Sequence, residues 1–310
     1  MGSIDLAEFV KEVVDACSEA VRLDPDGGLA PNSLYHFTDV KGFIGILTSK
    51  CLWASLVTEL DDAAEVVHGI EVAKSVLLDR FKAASASDYE QVLLAQLEKP
   101  TSPLFGVSFN TSAFVVSFCA KCDKSGQWLH YGRNGAGVAI GFSPALAQTV
   151  SYDLHRIDYS IDSQRVKMER LVNAARSVLH RHRDPSMTWM VEVAAHLASM
   201  FIRLLAASMK HASFANDEEW RLIATDFRRN QSPLENSVTK REMRSRIVGE
   251  RLIPYEELSF AGKEGKLISE IVVGFSAPTG LDAIRILASE HGVRSAVFCR
   301  SEVPVRGQTV

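Results

Sequence analysis

The sequence predicts an α+β fold with mixed or antiparallel sheets. The 310 residues are 46% hydrophobic and 23% charged, which is typical of an ordinary globular protein. Short β-branched and aromatic runs that read as strands are scattered among amphipathic helical patterns, and the two do not alternate strictly. Because a doubly wound parallel sheet requires such alternation, we expect a mixed or antiparallel arrangement instead.

The first predicted elements are a helix and a short strand. Apolar residues recur at helical spacing near the start of the chain, so we expect a helical N-terminal extension over residues 1–30. Residues 34–38 (LYHFT) then read as a strand whose alternation places His36 and Thr38 together, away from two aromatic side chains. Asp39 follows as the expected N-cap of a helix. Polar groups beside a helix N-terminus suit an anionic ligand.

The remaining chain, residues 31–310, is expected to form a single α+β domain with a helical insertion at about residues 160–212. Asp184-Pro185 interrupts the helical pattern of that insertion. The other strands are predicted at residues 52–55, 113–119, 137–142, 217–224, 246–252, 267–275 and 295–301. The other helices are predicted after residue 60, near residues 89–97, at residues 127–132 and at residues 281–290.

Composition and motifs disfavour several classes of protein. No run approaches the ~20 apolar residues that span a membrane, and the N-terminus lacks the pattern of a signal peptide. Five scattered cysteines suit a reducing compartment, so we expect a cytoplasmic protein with no membrane partner. Cys119 and Cys122 have no second pair at metal-ligand spacing, so we expect no metal. Glycine-rich nucleotide loops and metalloprotease motifs are missing from the sequence.

Charge is distributed unevenly along the chain. The formal net charge is −4, yet residues 165–251 contain 16 Lys and Arg against 10 Asp and Glu. A basic section of this kind can face an anionic substrate, although the solvated face of long helices is the commoner explanation. The sequence therefore leaves nucleic acid, or another anionic molecule, open as a partner.

Two groups of polar side chains flank predicted strands. His36 and Thr38 share one face of the first strand, and Gln127, Trp128 and Tyr131 precede a tight Asn-Gly turn. Each group has a plain structural explanation: a hydrogen-bonded histidine buried in a core strand, and an aromatic side chain at the rim of the core.

A third group pairs a carboxylate with an arginine. In a strand over residues 217–224, Glu219 and Arg221 project together while Trp220 enters the core. The arginine keeps the carboxylate ionised, so it can bind a sugar hydroxyl or stabilise a developing cation. A structural ion pair explains the same spacing equally well. A shift of one residue in strand register would exchange Glu219 for Glu218.

Several short motifs, taken in order, resemble a widespread bacterial family catalogued as a domain of unknown function. The matching segments are residues 34–38, 45–47, 52–55, 116–119, 127–132, 137–142, 219–222, 271–274 and 301–304. The family usually has Asn-Asp-Pro-x-Glu where this chain has residues 61–65 (DDAAE), so the role of that asparagine does not transfer. The family name implies no activity.

A second resemblance concerns the order of three side chains. A histidine on a first strand, a tyrosine after a middle strand and a glutamate on a late strand are similar to the His-Tyr-Glu arrangement of ADP-ribosyltransferases, whose DNA-modifying toxins open with a comparable Tyr-His-x-Thr. The resemblance implies that His36 hydrogen-bonds the nicotinamide-side ribose and that Thr38 helps to hold the adenosine half of NAD. It also implies that Tyr131 stacks on nicotinamide and that Glu219 binds the ribose 2′-hydroxyl and stabilises the positive sugar.

The resulting hypothesis is an NAD-dependent ADP-ribosyltransferase-like enzyme with a core of that type, whose acceptor is unknown, nucleic acid being one candidate. A preorganised carboxylate would stabilise the oxocarbenium-like state that forms when the nicotinamide–ribose bond breaks. The expected catalytic residues are His36, Tyr131 and Glu219. The expected NAD-binding residues are His36, Thr38, Gln127, Trp128, Tyr131 and Arg221.

Three alternatives remain open from the sequence. An NAD glycohydrolase would use the same site without an acceptor. A ligand-sensing or interaction module would bind NAD without consuming it. A hydrolase or nuclease built on His36, Asp61, Asp62 and Glu219 would need a divalent metal, but the spacing of these residues matches no metal site. A role as a bacterial toxin or in defence would add a neutralising partner protein.

Overall fold

The computed structural model describes residues 5–22, 30–60, 64–98, 113–182, 187–224 and 243–304. Its strands are β1 (Leu34–Thr38), β2 (Cys51–Leu56), β3 (Phe114–Cys119), β4 (Val138–Phe142), β5 (Asp153–Arg156), β6 (Glu219–Ala224), β7 (Arg244–Val248), β8 (Arg251–Ser259), β9 (Ile268–Val273) and β10 (Val297–Arg300). Its α-helices are α1 (Leu6–Arg22), α2 (Val40–Ser49), α3 (Ala64–Lys82), α4 (Asp88–Glu98), α5 (Ser125–His130), α6 (Leu146–Val150), α7 (Ile161–Arg181), α8 (Trp189–Ala206), α9 (Glu264–Leu267) and α10 (Leu281–Glu290).

The described strands form one ten-stranded sheet. Its main path runs β10-β9-β4-β1-β3-β2-β8-β7, and β6 lies beside that path, paired with both β3 and β5. The pairing is antiparallel throughout except between β9 and β10, which are parallel. The fold is therefore α+β with a mixed sheet, as the sequence predicts.

The sheet divides along one edge of β3. β2 pairs with the beginning of β3, where Ser55 lies opposite Val115, whereas β1 pairs with its end, where Tyr35 lies opposite Cys119. The whole of the other edge of β3 is paired with β6. The strands β1 and β2 therefore separate along a shared edge, and Ser117 lies between the two points of pairing.

The two faces of β3 and β6 contribute to different hydrophobic cores. On one face, Val116 and Leu222 join the core that contains Phe43 and Leu47 of α2. On the other face, Val115 and Ile223 join a core made largely by α1, α3, α4, α7 and α8. Strand alternation explains this division, because neighbouring side chains point to opposite faces. We call these five helices the helical layer.

The predicted N-terminal extension and the predicted insertion both belong to the helical layer. Phe9 of α1, Met168 of α7 and Met190 of α8 are buried in the same core. The helix α8 is long and apolar enough to cross a membrane, but most of it is buried inside the protein. The expected break at Asp184-Pro185 lies outside the described residues.

The C-terminal strands differ from the prediction at one place. A single strand is expected over residues 246–252, but the chain forms a hairpin of β7 and β8 that turns at Gly249. Gly249 has a φ of +60°, which glycine adopts without the steric cost that other residues pay. The hairpin places Arg246 opposite Ile253 and extends the sheet beyond β2.

Candidate functional site

The candidate site lies where β1 and β2 separate along β3. Four residues from four strands lie there as two hydrogen-bonded pairs, and we call this place the strand fork. They are His36 of β1, Ser55 of β2, Ser117 of β3 and Arg246 of β7. The separation of β1 from β2 allows a side chain, rather than a neighbouring strand, to bond the carbonyl group of Ser117.

His36 is held at the strand fork in one protonation state. Its Nδ1 lies 3.1 Å from the carbonyl oxygen of Ser117, and its ring packs edge-on against Phe118. Because a carbonyl oxygen only accepts hydrogen bonds, Nδ1 carries the proton. Burial lowers the pKa of His36, and the positive charge of Arg246 lowers this pKa further. The ring is therefore neutral at neutral pH, and its Nε2 can accept a hydrogen bond.

Arg246 reaches the strand fork from the other branch of the sheet and, together with Ser55, from the face that carries Val115, opposite to His36. Its Nη2 donates to Oγ of Ser55 at 2.8 Å, and its guanidinium lies over Trp53 and Tyr255, 5.4 and 5.8 Å from the ring centroids. Its Nε is buried and has no hydrogen-bond partner in the part of the chain that the structure describes. Burial lowers the pKa of Arg246, yet arginine remains charged at neutral pH. A partly buried cation with an unpaired N–H is suited to binding an anion.

Thr38 lies at the junction of β1 and α2. Asp39 caps α2, since its Oδ1 accepts a hydrogen bond from the backbone N of Gly42 at 2.6 Å, which confirms the predicted N-cap. Thr38 packs against the same turn: a Cβ atom added at Gly42 would lie only 2.1 Å from its Oγ1. The half-buried side chain of Thr38 is therefore packed against α2, on the face of β1 that also carries His36.

Glu219 and Arg221 form the ion pair that their spacing predicts, and a second cation completes it. Arg221 donates from Nε to Oε1 of Glu219 at 2.6 Å and from Nη2 to Oε2 at 3.1 Å. Lys210 Nζ lies 2.8 Å from the same Oε2. Burial raises the pKa of Glu219, but Arg221 and Lys210 more than offset this effect and hold the pKa at about 2. Both oxygens of this buried carboxylate are thus bonded to cations of the protein.

Glu219 and His36 lie on opposite faces of the sheet. Glu219 is opposite Cys119, and Cys119 is opposite Tyr35, so these three side chains share a face. His36 follows Tyr35 in β1 and points to the other face, where it contacts Phe118. The structure therefore does not bring Glu219 to His36, and the expected His-Tyr-Glu site is not assembled in this conformation.

The neighbouring carboxylate, Glu218, is also bonded to lysines. It has a left-handed backbone conformation immediately before β6. Its Oε1 lies 2.9 Å from Lys121 Nζ and 3.1 Å from Lys124 Nζ. The hydrogen bond from Lys121 is the main cause that lowers the pKa of Glu218. Glu218 therefore forms a partly exposed ion pair at the start of β6.

Trp128 of α5 is a core residue rather than a binding surface. It is fully buried, with Nε1 donating to Oδ1 of Asp123 at 2.7 Å and its ring packed edge-on against Phe37 at a centroid distance of 4.8 Å. Gln127 is half-buried, and its carbonyl group accepts a hydrogen bond from the backbone N of Tyr131 at the end of α5. The expected contact of Trp128 with NAD is therefore not available in this conformation.

Tyr131 is the exposed member of this group. Its side chain is 55% exposed, and its ring lies 6.3 Å from that of His130. The helix α5 packs through Trp128 onto Phe37, which projects from the face of β1 opposite to His36. Tyr131 therefore follows a helix on the other side of the sheet from the His36 ring.

The metal-dependent alternative has no support among the described residues. They contain no group of three or more His, Cys, Asp or Glu that could hold a metal ion. Two of the four residues expected for such a site, His36 and Glu219, lie on opposite faces of the sheet. The other two, Asp61 and Asp62, lie outside the described residues.

Sequence reasoning misses two members of the strand fork, Ser55 and Arg246. The segment of Ser55 reads only as a strand, and Arg246 falls in the segment that the structure resolves into a hairpin. Trp53 is the residue that could have indicated this part of the site. Leu52 and Ala54 both enter the core, so the large aromatic side chain between them must point to the opposite face of β2.

The fold and the strand fork together define an α+β protein with a divided mixed sheet and a candidate anion-binding site. Residues 127–222 match a family model described as "Protein of unknown function (DUF2971)". No curated protein and no solved structure matches the chain. The resemblance to a family of unknown function is therefore confirmed over α5 to β6, a region that contains Glu219 but not His36.

Proposed function

We propose that the protein binds NAD at the strand fork and transfers ADP-ribose from it, as an ADP-ribosyltransferase-like enzyme. The observation that carries this proposal is the neutral His36, whose Nε2 can accept a hydrogen bond and whose pKa is lowered by the charge of the nearby Arg246. NAD offers both matching groups, since it contains ribose hydroxyls that donate and a diphosphate that is anionic.

Each polar group of the strand fork has a role in this proposal. Arg246 binds the diphosphate through its guanidinium, whose Nε lacks a partner among the described residues. Ser55 orients Arg246 through its hydroxyl group. His36 accepts a hydrogen bond from a hydroxyl of the nicotinamide-side ribose at Nε2, as the likeness to ADP-ribosyltransferases implies.

The proposed reaction breaks the bond between the nicotinamide nitrogen and C1′ of the ribose. The electron pair of that bond goes to nicotinamide, which leaves as a neutral ring. A nucleophile of the acceptor forms the new bond to C1′ and loses its proton to water. The hydrogen bond from the ribose to His36 increases electron density on the sugar oxygen and so stabilises the oxocarbenium-like transition state. With water as the acceptor, the same site would act as an NAD glycohydrolase.

A second candidate function is a ligand-sensing module that binds NAD without cleaving it. One observation favours it: Glu219, the carboxylate assigned to the ribose by resemblance, is neutralised by Arg221 and Lys210 on the face away from His36. A site with His36 and Arg246 but no carboxylate would still recognise the nucleotide, but it would stabilise the sugar cation less than a site that contains a carboxylate.

The test is the release of nicotinamide from NAD, measured by chromatography with purified protein. The informative variants are His36→Ala and Arg246→Gln. Arg285→Gln is a matched control, because Arg285 is exposed and also lies over an aromatic ring, 5.5 Å from the centroid of Phe298. We expect release by the wild type and the control, reduced roughly 10- to 100-fold in the other two variants.

The outcomes separate the two candidates. The assay is run with single-stranded nucleic acid, duplex nucleic acid and a protein extract present as acceptors. If NAD binds under these conditions but no nicotinamide is released, the result supports the sensing module. Release that is unchanged in both His36→Ala and Arg246→Gln would place the active site away from the strand fork.

A further inference from the structure

One face of β2, β8 and β7 carries an exposed aromatic ring surrounded by arginines. The pairing of Ser55 with Tyr255, and of Tyr255 with Arg244, puts these side chains on the same face. Alternation along the strands adds Trp53, Arg246 and Arg251 to it. We call the set of Trp53, Tyr255, Arg244, Arg246 and Arg251 the arginine–aromatic face.

The aromatic part of this face is a supported platform. The ring of Trp53 stacks on that of Tyr255, with centroids 4.5 Å apart and planes inclined by 29°. Tyr255 is buried, whereas Trp53 remains 42% exposed. The packing beneath Trp53 restricts its ring, so a planar group could stack on the exposed part at little further entropic cost.

The charged part of this face is positive. Alternation places three arginines but only one acidic residue, Glu257, on this side of β2, β7 and β8. Arg244 lies 2.9 Å from that Glu257, and Arg246 lies over both aromatic rings. Among the described residues of these three strands, arginines on this face therefore outnumber acidic residues by three to one, next to an exposed indole ring.

We propose that the arginine–aromatic face binds single-stranded nucleic acid. An unpaired base can stack on Trp53 while its flanking phosphates contact Arg244 and Arg251, which is how sequence-tolerant single-strand sites work. A duplex would gain less, because its bases are already stacked on one another. An acidic peptide would satisfy the arginines but would leave the indole without a planar partner.

The position of the face also indicates a role for the bound single-stranded nucleic acid. Arg246 belongs both to this face and to the strand fork, so a nucleic-acid strand bound at Trp53 would reach the arginine that is assigned to the diphosphate of NAD. That strand would then be the acceptor of ADP-ribose, an assignment that rests on the proposed function. The binding itself does not rest on it.

The test is fluorescence anisotropy with a labelled oligothymidine of about 12 nucleotides, in the absence of NAD. We expect Trp53→Ala to weaken binding roughly tenfold or more, whereas Trp53→Phe keeps most of it. Phe214→Ala is the matched control, because Phe214 is exposed to a similar extent, 40%, on another part of the chain.

A second variant tests the charge independently of the ring. Arg244→Gln is expected to reduce the magnitude of the slope of the logarithm of the binding constant against the logarithm of salt concentration, by the contribution of about one phosphate contact. Arg285→Gln is its control, since Arg285 is equally exposed and also paired with an acidic residue. Three results would overturn the proposal. They are failure to bind the oligomer, equal or tighter binding of a duplex of the same length, and an affinity that neither Trp53→Ala nor Arg244→Gln changes. Because no NAD is present, these outcomes are independent of nicotinamide release.

Discussion

Glu219 is fixed by two cations of the protein, and this arrangement is typical of a group that stabilises the fold. Arg221 binds both of its oxygens and also donates from Nη1 to the carbonyl group of Ala207 at the end of α8, at 2.9 Å. Lys210 approaches from the same side. The three charged side chains thus attach β6 to the helical layer. Among the described residues, His36 by contrast makes one hydrogen bond, through Nδ1, and its Nε2 can still accept another.

A substitution at Glu219 should therefore change stability in a pH-dependent way. We expect Glu219→Gln to lower the free energy of unfolding by about 3 kcal/mol at pH 7, because Arg221 and Lys210 lose their counter-charge. The folded-state pKa of about 2 lies below the ordinary glutamate value, so the stabilisation is complete above roughly pH 5 and is lost as the pH falls toward 2. Urea unfolding of both proteins at several pH values measures the difference.

The control for that prediction is Glu218→Gln. Glu218 is adjacent in sequence, but its lysine partners are more exposed, so we expect a loss below about 1 kcal/mol. Equal losses in the two variants, or a Glu219→Gln effect that does not shrink toward low pH, would show that the buried ion pair does not have the stabilising role described here.

At the level of elements, α2 determines how the two branches of the sheet are joined. It connects β1, which carries His36, to β2, which carries Ser55, and buries Phe43 and Leu47 in the core on one face of the sheet. Its N-terminus is capped by Asp39. The geometry of the strand fork therefore depends on a helix that does not itself contribute a ligand.

Removing this cap should destabilise the protein by a small, defined amount. We expect Asp39→Ala to lower the free energy of unfolding by about 1 kcal/mol, because the backbone N–H of Gly42 loses its acceptor. Asp39→Asn keeps an acceptor and should retain most of the stability. Thermal and urea unfolding measure both variants, and an Asn variant as unstable as the Ala variant would rule out the capping hydrogen bond as the cause.

For the whole molecule, local pattern predicts the elements well but not the relation between strands. Alternation correctly separates His36 from the aromatic residues of β1, and it correctly pairs Glu219 with Arg221. It cannot predict that β6 pairs with β3 in a register that turns Glu219 toward the helical layer, because that register depends on contacts distant in sequence. The position of Arg246 depends on a hairpin turn that the sequence pattern reads as one strand.

The measurement that tests the central proposal most directly is calorimetric titration of NAD into the wild type, His36→Ala and Glu219→Gln, each first shown to be folded by circular dichroism. We predict binding to the wild type, its loss in His36→Ala and its retention in Glu219→Gln, because His36 and the buried ion pair lie on opposite faces of the sheet. Binding that survives in His36→Ala but disappears in folded Glu219→Gln would contradict the proposal and place NAD at the buried ion pair.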